Sequence, residues 1–160
     1  WSLTGKLAIS NEKDGGSGRF NWHSARDSTR MDFYGALGRG AWRLEADSKG
    51  AVLELADGSS HQAASVDQLV HEQLGWEIPV DSLSWWVRGM MAPGQPQESQ
   101  FDERGNLVRL SQDGWSIEFG KYRPVGKVEL PVRVKAEQAD WKVKLVVRGW
   151  QLDGAQESDD

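Results

Sequence analysis

A mainly β chain with two short helices, folded as an unclosed antiparallel half-barrel under a helical lid, is the architecture this sequence predicts. Three observations predict it. Apolar and polar residues alternate over many short runs on both sides of mid-chain, as they do in half-buried strands. Turn-forming residues fall between those runs. One amphipathic stretch, Gly75 to Gly89, interrupts the alternation near the middle of the chain. A sheet of about ten or more strands curls rather than staying flat, and curling creates an inside. Two short helices are too few to cover so wide a flat sheet, yet enough to plug a partly closed one over an apolar cavity.

The first strands are marked by Leu3, Leu7 and Ile9, by Phe20 and Trp22, by Met31 and Phe33, by Trp42 and Leu44, and by Val52 or Leu53 with Leu55. Between them lie the expected turns: Asp14 to Gly18, Arg26-Asp27-Ser28, Gly35 to Gly40, Ser48-Lys49-Gly50 and Asp57-Gly58. Ser65 to Gly75 then reads as a short helix, with Ser65 as its cap, Gln68 at the capping-box position and Gly75 as its stop. In the stretch that follows, helical spacing places Pro79, Val80, Leu83, Trp86, Val87 and Met90 on one face, with Asp81, Trp85 and Arg88 on the other. Pro79 suits a first turn, and Gly89 with Pro93 closes the helix.

After the linker Pro93-Gly94-Gln95-Pro96, strands resume at Gln97 to Asp102, Leu107 to Gln112, Trp115 to Tyr122, Lys127 to Lys135 and Trp141 to Trp150. Val128, Leu130, Val132 and Val134 share one side of their strand, as do Trp141, Val143, Leu145 and Val147 of the next; Lys and Arg recur at alternate positions. Residues 1–150 therefore form one domain. The acidic tail Gln151 to Asp160 lacks apolar periodicity and reads as disordered.

Composition narrows the function. A length of 160 residues suffices to bury a real core. The mean hydropathy of −0.61 and the lack of an apolar run near ~18 residues exclude a spanning helix. The net charge of −5 argues against a nucleic-acid partner and against broad electrostatic adhesion to an anionic membrane. Cysteine is absent, which removes thiol catalysis and Cys-type zinc sites. The start at Trp1 fits a processed product. The nine Trp suit a cavity, an interface or a sugar platform.

Catalytic signals are weak. His71-Glu72 opens like a zinc-protease helix, but Gly75 stands where the second His belongs. His23, His61 and His71 lie in three separate segments, so no metal site and no cofactor are expected. The glycine-rich segments Gly15 to Gly18 and Gly35 to Gly40 join strand to strand and open no helix, so they read as hairpin turns rather than phosphate cradles. No nucleophile elbow is present, and Asp102-Glu103 or Asp67 with Glu72 read as solvated charges. The chain is expected not to be an enzyme.

Gly35-Ala36-Leu37-Gly38 puts one large apolar side chain at the tip of a glycine-rich turn, where polar residues are the norm. Leu37 either folds back on the core or protrudes as a hook, and burying one Leu in a bilayer is worth ~1.5–3 kcal/mol, enough to touch a membrane without anchoring there.

The chain resembles the LolB family of outer-membrane lipoproteins. The likeness spans about residues 1–150 and rests on Gly18-Arg19-Phe20-Asn21-Trp22, Gly35-Ala36-Leu37-Gly38, Gly75-Trp76-Glu77-Ile78-Pro79-Val80 with Ser82-Leu83 and Trp86-Val87-Arg88-Gly89, Leu110-Ser111-Gln112-Asp113-Gly114-Trp115, Leu130-Pro131 and Trp150. The resemblance implies an unclosed barrel like that of the periplasmic carrier LolA. It also implies an apolar cavity that takes acylated lipoproteins from LolA for insertion into the inner leaflet of the outer membrane. Leu37 matches the family's loop leucine, which promotes that release. Gly35-Ala36 replaces the residue pair that precedes this leucine in the family and makes the loop more mobile. The family's acylated Cys is not in this chain, so its lipid anchor belongs to the resemblance alone.

The acyl-chain cavity is expected to be lined by Phe20, Trp22, Met31, Phe33, Leu83, Trp86, Val87, Trp115, Ile117, Leu130, Val132 and Leu145. Trp85, on the opposite helix face, is the candidate for a rim or partner contact. The expected partners are LolA, lipoprotein cargo and the outer-membrane leaflet, with the chain itself a monomer. A LolA-type carrier without a membrane step and a Trp-rich carbohydrate-binding domain are the alternatives.

Overall fold

The computed structural model describes residues 1–35 and 40–153. Eleven antiparallel strands form one sheet in the order β6-β5-β4-β3-β2-β1-β11-β10-β9-β8-β7, and it does not close on itself. The strands of the first half are β1 (Ser2–Ser10), β2 (Gly15–Ser24), β3 (Thr29–Gly35), β4 (Trp42–Asp47), β5 (Gly50–Leu55) and β6 (Ser60–Ala63). Those of the second half are β7 (Glu98–Phe101), β8 (Leu107–Gln112), β9 (Trp115–Val125), β10 (Val128–Gln138) and β11 (Trp141–Gln151).

The strand order explains why the helices stand at mid-chain. The chain enters at the centre of the sheet with β1 and steps outward by hairpins to one edge at β6. Its helical segment then carries it to the opposite edge at β7, from which hairpins step back to β11 beside β1. The crossing lies over the apolar side of the sheet, because Leu69, Val70, Leu83, Trp86 and Val87 of the helical segment are buried in one cluster with the strands' apolar rows. The two edge strands are only four residues each, which limits the unpaired backbone they offer to other chains.

α1 (Val66–Leu69) starts as expected, its cap Ser65 accepting a hydrogen bond from the Gln68 amide at 3.2 Å. Gln68 does not complete a reciprocal box. Its side chain donates to Glu72 instead, at 3.0 Å. One wider turn, Val70–Leu74, extends the helix to Gly75. The second helix is shorter than its apolar stretch suggests, because α2 covers only Val80–Trp86. Pro79 lies just outside the helix with extended backbone angles rather than within its first turn.

Three sequence expectations are corrected. Met90 does not join the inward face of α2: the helix has already ended, Gly89 turns the chain at φ 71°, and Met90 is 44% exposed. Gly15 to Gly18 is strand, not turn. The β1–β2 turn is made by residues 11–14, where the Asn11 side chain accepts from the amides of Lys13 and Asp14 at 2.9 and 2.7 Å. Gly18 is required for spacing, since a Cβ there would sit 2.2 Å from the backbone oxygen of Tyr34 on β3. Val128 leaves the apolar row of β10 and is 48% exposed, with Val132 half-buried. The cause is register: β10 pairs with β11 only from Arg133 onward, so its first residues extend beyond the covered part of the sheet.

Candidate functional site

Period-two alternation directs one row of each central strand to the concave side: Leu3, Leu7 and Ile9 from β1, Phe20 and Trp22 from β2, Met31 and Phe33 from β3, Val143, Leu145 and Val147 from β11. These side chains are buried, and with Leu83, Trp86 and Val87 from the helical segment they form one continuous apolar cluster. Of the twelve residues expected to line a cavity, Phe20, Trp22, Met31, Phe33, Leu83, Trp86, Val87, Trp115, Ile117, Leu130 and Leu145 are buried, and Val132 is half-buried at the overhanging end of β10. The helices lie packed against the sheet, and side chains occupy the space between them.

Aromatic rings hold the lid at two places. Under the approach to α2, Trp76 meets Phe33 and Trp42 edge-on at ring separations of 6.0 Å each, while Phe33 stacks on Trp42 at 5.4 Å. Beneath α2 itself, Trp86 tilts over Trp115 at 6.3 Å. Such pairs add a modest directional preference to the much larger burial of their area.

Two polar groups fasten the lid: Gln112, to which the sequence assigned no role, and Asp67, whose reading as a solvated charge is corrected because it is half-buried and hydrogen-bonded to α2. Gln112, at the end of β8, is 0% exposed. Its side-chain oxygen accepts from the indole nitrogen of Trp86 at 3.0 Å and from the amide of Ala92 at 2.9 Å, and its amide donates to the Ala92 carbonyl at 2.8 Å. One side chain thus ties both α2 and its exit segment to the sheet. The signal for it was present: Gln112 shares its side of the strand with Leu110, so it is a polar residue on a buried row. The second is Asp67 of α1, which accepts from the first amide of α2, that of Val80, at 2.8 Å. Burial raises the pKa of Asp67 above the usual carboxylate value, with Asp81 adding repulsion.

Trp85, the expected rim residue, is half-buried, with the Arg88 guanidinium 4.7 Å above its ring. Arg88 donates to the Ser84 carbonyl at 2.9 Å, and burial lowers its pKa. At Tyr122 the exit of the lid meets the sheet. Tyr122 donates to the Leu107 carbonyl, Phe101 is the strand partner of Leu107, and Gly89 packs on the Tyr122 ring beside exposed Met90.

Gly35 is the last residue of β3, paired with Gly18, and not part of a turn. The rest of the expected hook, Ala36, Leu37 and Gly38, lies outside the described residues, as does the tail from residue 154.

A curved open sheet with helices over an apolar concave face narrows the relationship to a fold, and the sequence profile of the "Outer membrane lipoprotein LolB" family matches residues 1–150. The chain belongs to the LolB family. It is 40% identical over 151 residues to the outer-membrane lipoprotein LolB of Pseudomonas putida strain W619, a match covering 94% of this chain and 74% of that one. It is likewise 39% identical over 151 residues to LolB of Pseudomonas fluorescens strain Pf0-1, at the same coverage. Among solved structures, a LolA superfamily protein from Nitrosomonas europaea superposes with a TM-score of 0.52 at 10% identity, over 92% of this chain and 84% of the other. A DUF1329 family protein from Desulfovibrio piger superposes with a TM-score of 0.56 at 6% identity, over 99% and 87%. At such identities the superpositions speak to fold. No described helix of this LolB-family chain is long and apolar enough to cross a membrane.

Proposed function

We propose that this LolB-family domain receives the acyl chains of lipoproteins on its concave face and passes them to the inner leaflet of the outer membrane. The observation that carries the proposal is the lid: a helical segment joins the two edges of an unclosed sheet across an apolar face. It is fastened there by the few polar bonds of Gln112 and Asp67. Acyl chains resist exposure to water by ~0.8 kcal/mol per CH₂, so a cargo of this kind needs shelter at every stop. Swinging α1 and α2 aside would part Trp76 from Phe33 and Trp42 and Trp86 from Trp115, and expose the surface such chains seek. The names of the relatives supply the lipoprotein context, and the family supplies LolA as donor.

The direction of transfer follows differential affinity, from donor cavity to this domain and on to the bilayer. Gly35-Ala36-Leu37-Gly38 is the element proposed to promote the last step, with Leu37 entering the membrane. Titration with an acylated lipopeptide and its unacylated twin tests cargo binding. Trp fluorescence should respond to the acylated form alone, and a response to both or to neither overturns the acyl reading. Leu37→Glu should leave that binding intact while abolishing insertion of cargo into liposomes. Unimpaired insertion with binding unchanged would overturn the membrane role given to Leu37.

A further inference from the structure

The net charge of −5 conceals a strong asymmetry on the outer face of the sheet. Where the concave rows are apolar, the alternate positions of the four central strands carry Arg19 on β2, Lys6 on β1, Lys142 and Lys144 on β11, and Arg133 and Lys135 on β10. Register brings these side chains into one field. Lys6 pairs with Arg19 on one side and Val146 on the other, Val146 pairs with Arg133, and Lys144 pairs with Ala8 and Lys135. Glu118 and Glu137 border the field at β9 and β10, opposite Lys135 and Lys142.

Within this field lies a cleft of about 670 Å³, lined by Lys6, Arg19 and Lys144 together with the smaller or apolar surfaces of Ala8, Val146 and Tyr34. Among the described residues no acidic one lines it. Among the described residues none of its three cations makes an ion pair within 4.0 Å, and Arg19 lies 5.7 Å from the centre of the Tyr34 ring. Unneutralised cations around an apolar floor match a ligand that is anionic at one end and hydrocarbon just beyond it. The cleft also ends at Gly35, where β3 leads into the segment carrying Leu37.

We propose that this outer face docks on an anionic phospholipid bilayer, the cleft between Lys6, Arg19 and Lys144 receiving a lipid phosphate. Docking deepens the membrane step proposed above and rests on that reading only for its purpose, since the cleft itself needs neither cargo nor Leu37. A bilayer fits better than an acidic protein because the cations are spread over four strands of a broad surface and are interleaved with aliphatic groups, with no shaped polar counterpart in the cleft. Each cation near an anionic surface contributes about a five-fold factor in partitioning, and the effect fades as salt screens it.

Flotation of the domain with vesicles of phosphatidylcholine alone, and with about one-third phosphatidylglycerol, tests the proposal. Wild type should bind the charged vesicles at low salt and lose most of that binding at high salt. Combined Lys6→Gln, Arg19→Gln and Lys144→Gln should weaken binding on the order of a hundredfold, with unfolding unchanged because these groups face solvent. Lys6→Gln alone should weaken it about five-fold, which keeps the test sound if the triple variant folds poorly. An equal charge change at the exposed turn residues Lys13, Lys49 and Lys127 should cost far less. Binding that ignores lipid charge, survives the triple change, or falls as much in the turn control overturns the proposal. Failure of lipopeptide binding alone would sink the acyl reading and leave this one standing.

Discussion

The two faces of the central strands are built from the same residues taken alternately, yet they differ in almost every physical respect. Inward, Leu7, Phe20, Trp22, Val134 and Leu145 are sealed in one cluster beneath the lid. Outward, Lys6, Arg19, Lys135 and Lys144 stand in a field without ion pairs among the described residues. The outer face itself changes character toward its flank. On β3 and β4, Asp32 accepts from Arg43 at 2.7 Å and Arg30 at 3.2 Å, and Glu45 lies 3.9 Å from Arg30, so two cations meet two anions. The inner face spends its side chains on stability, the outer flank is neutral in effect, and the outer centre retains charge that the fold does not use. Unused charge of one sign is where a function is most economically sought.

The largest loss of stability should come from the inner face. Trp86→Ala removes a wholly buried ring and its hydrogen bond to Gln112, and should lower unfolding free energy by about 3–5 kcal/mol in urea titration. Next, Gln112→Leu strands the Trp86 indole and the Ala92 backbone without partners and should cost on the order of 3 kcal/mol. If the lid is fastened there, amide exchange in α2 should accelerate more than exchange in β1.

Asp67→Asn sharpens the boundary between inside and outside. The raised pKa of Asp67 means that the folded state holds its proton more tightly than the unfolded one. Its contribution is complete below the unfolded pKa and is lost as pH rises through the higher folded value. The neutral Asn keeps an acceptor for the Val80 amide, so the melting temperature of the variant relative to wild type should be higher at neutral pH than at acid pH. A difference that is constant across pH would count against this account. Smallest of all, Asp32→Asn on the outer flank should shift the melting temperature by about 3 °C, because its partner guanidiniums are largely solvated and such ion pairs contribute little.

Much of the fold was legible because strand alternation and turn chemistry are local signals. The apolar rows around Phe20, Trp22, Trp115, Ile117 and Leu145 required nothing beyond period two. The misreadings fall where partners from distant segments intervene. Gly15 to Gly18 looks like a turn until β3 is laid beside it, when Gly18 becomes the one residue that permits the Tyr34 backbone to approach. Met90 fits the helical stripe, but the helix ends before reaching it. Gln112 passed unnoticed because its partners, Trp86 and Ala92, are 26 and 20 positions away. A lone polar residue on a buried row announces a hydrogen bond without saying to what.

A curved antiparallel sheet with a short helical interruption and one apolar side follows from the order of residues alone, since periodicity, turns and caps act over a few residues. Pairing between distant segments is what makes the helices bridge the two edges of the sheet, lets Gln112 fasten them and turns a basic centre outward on an acidic chain. Net charge is a sum over the whole sequence, whereas a surface field depends on which strands lie side by side, and that adjacency is set by pairing between segments far apart in the chain.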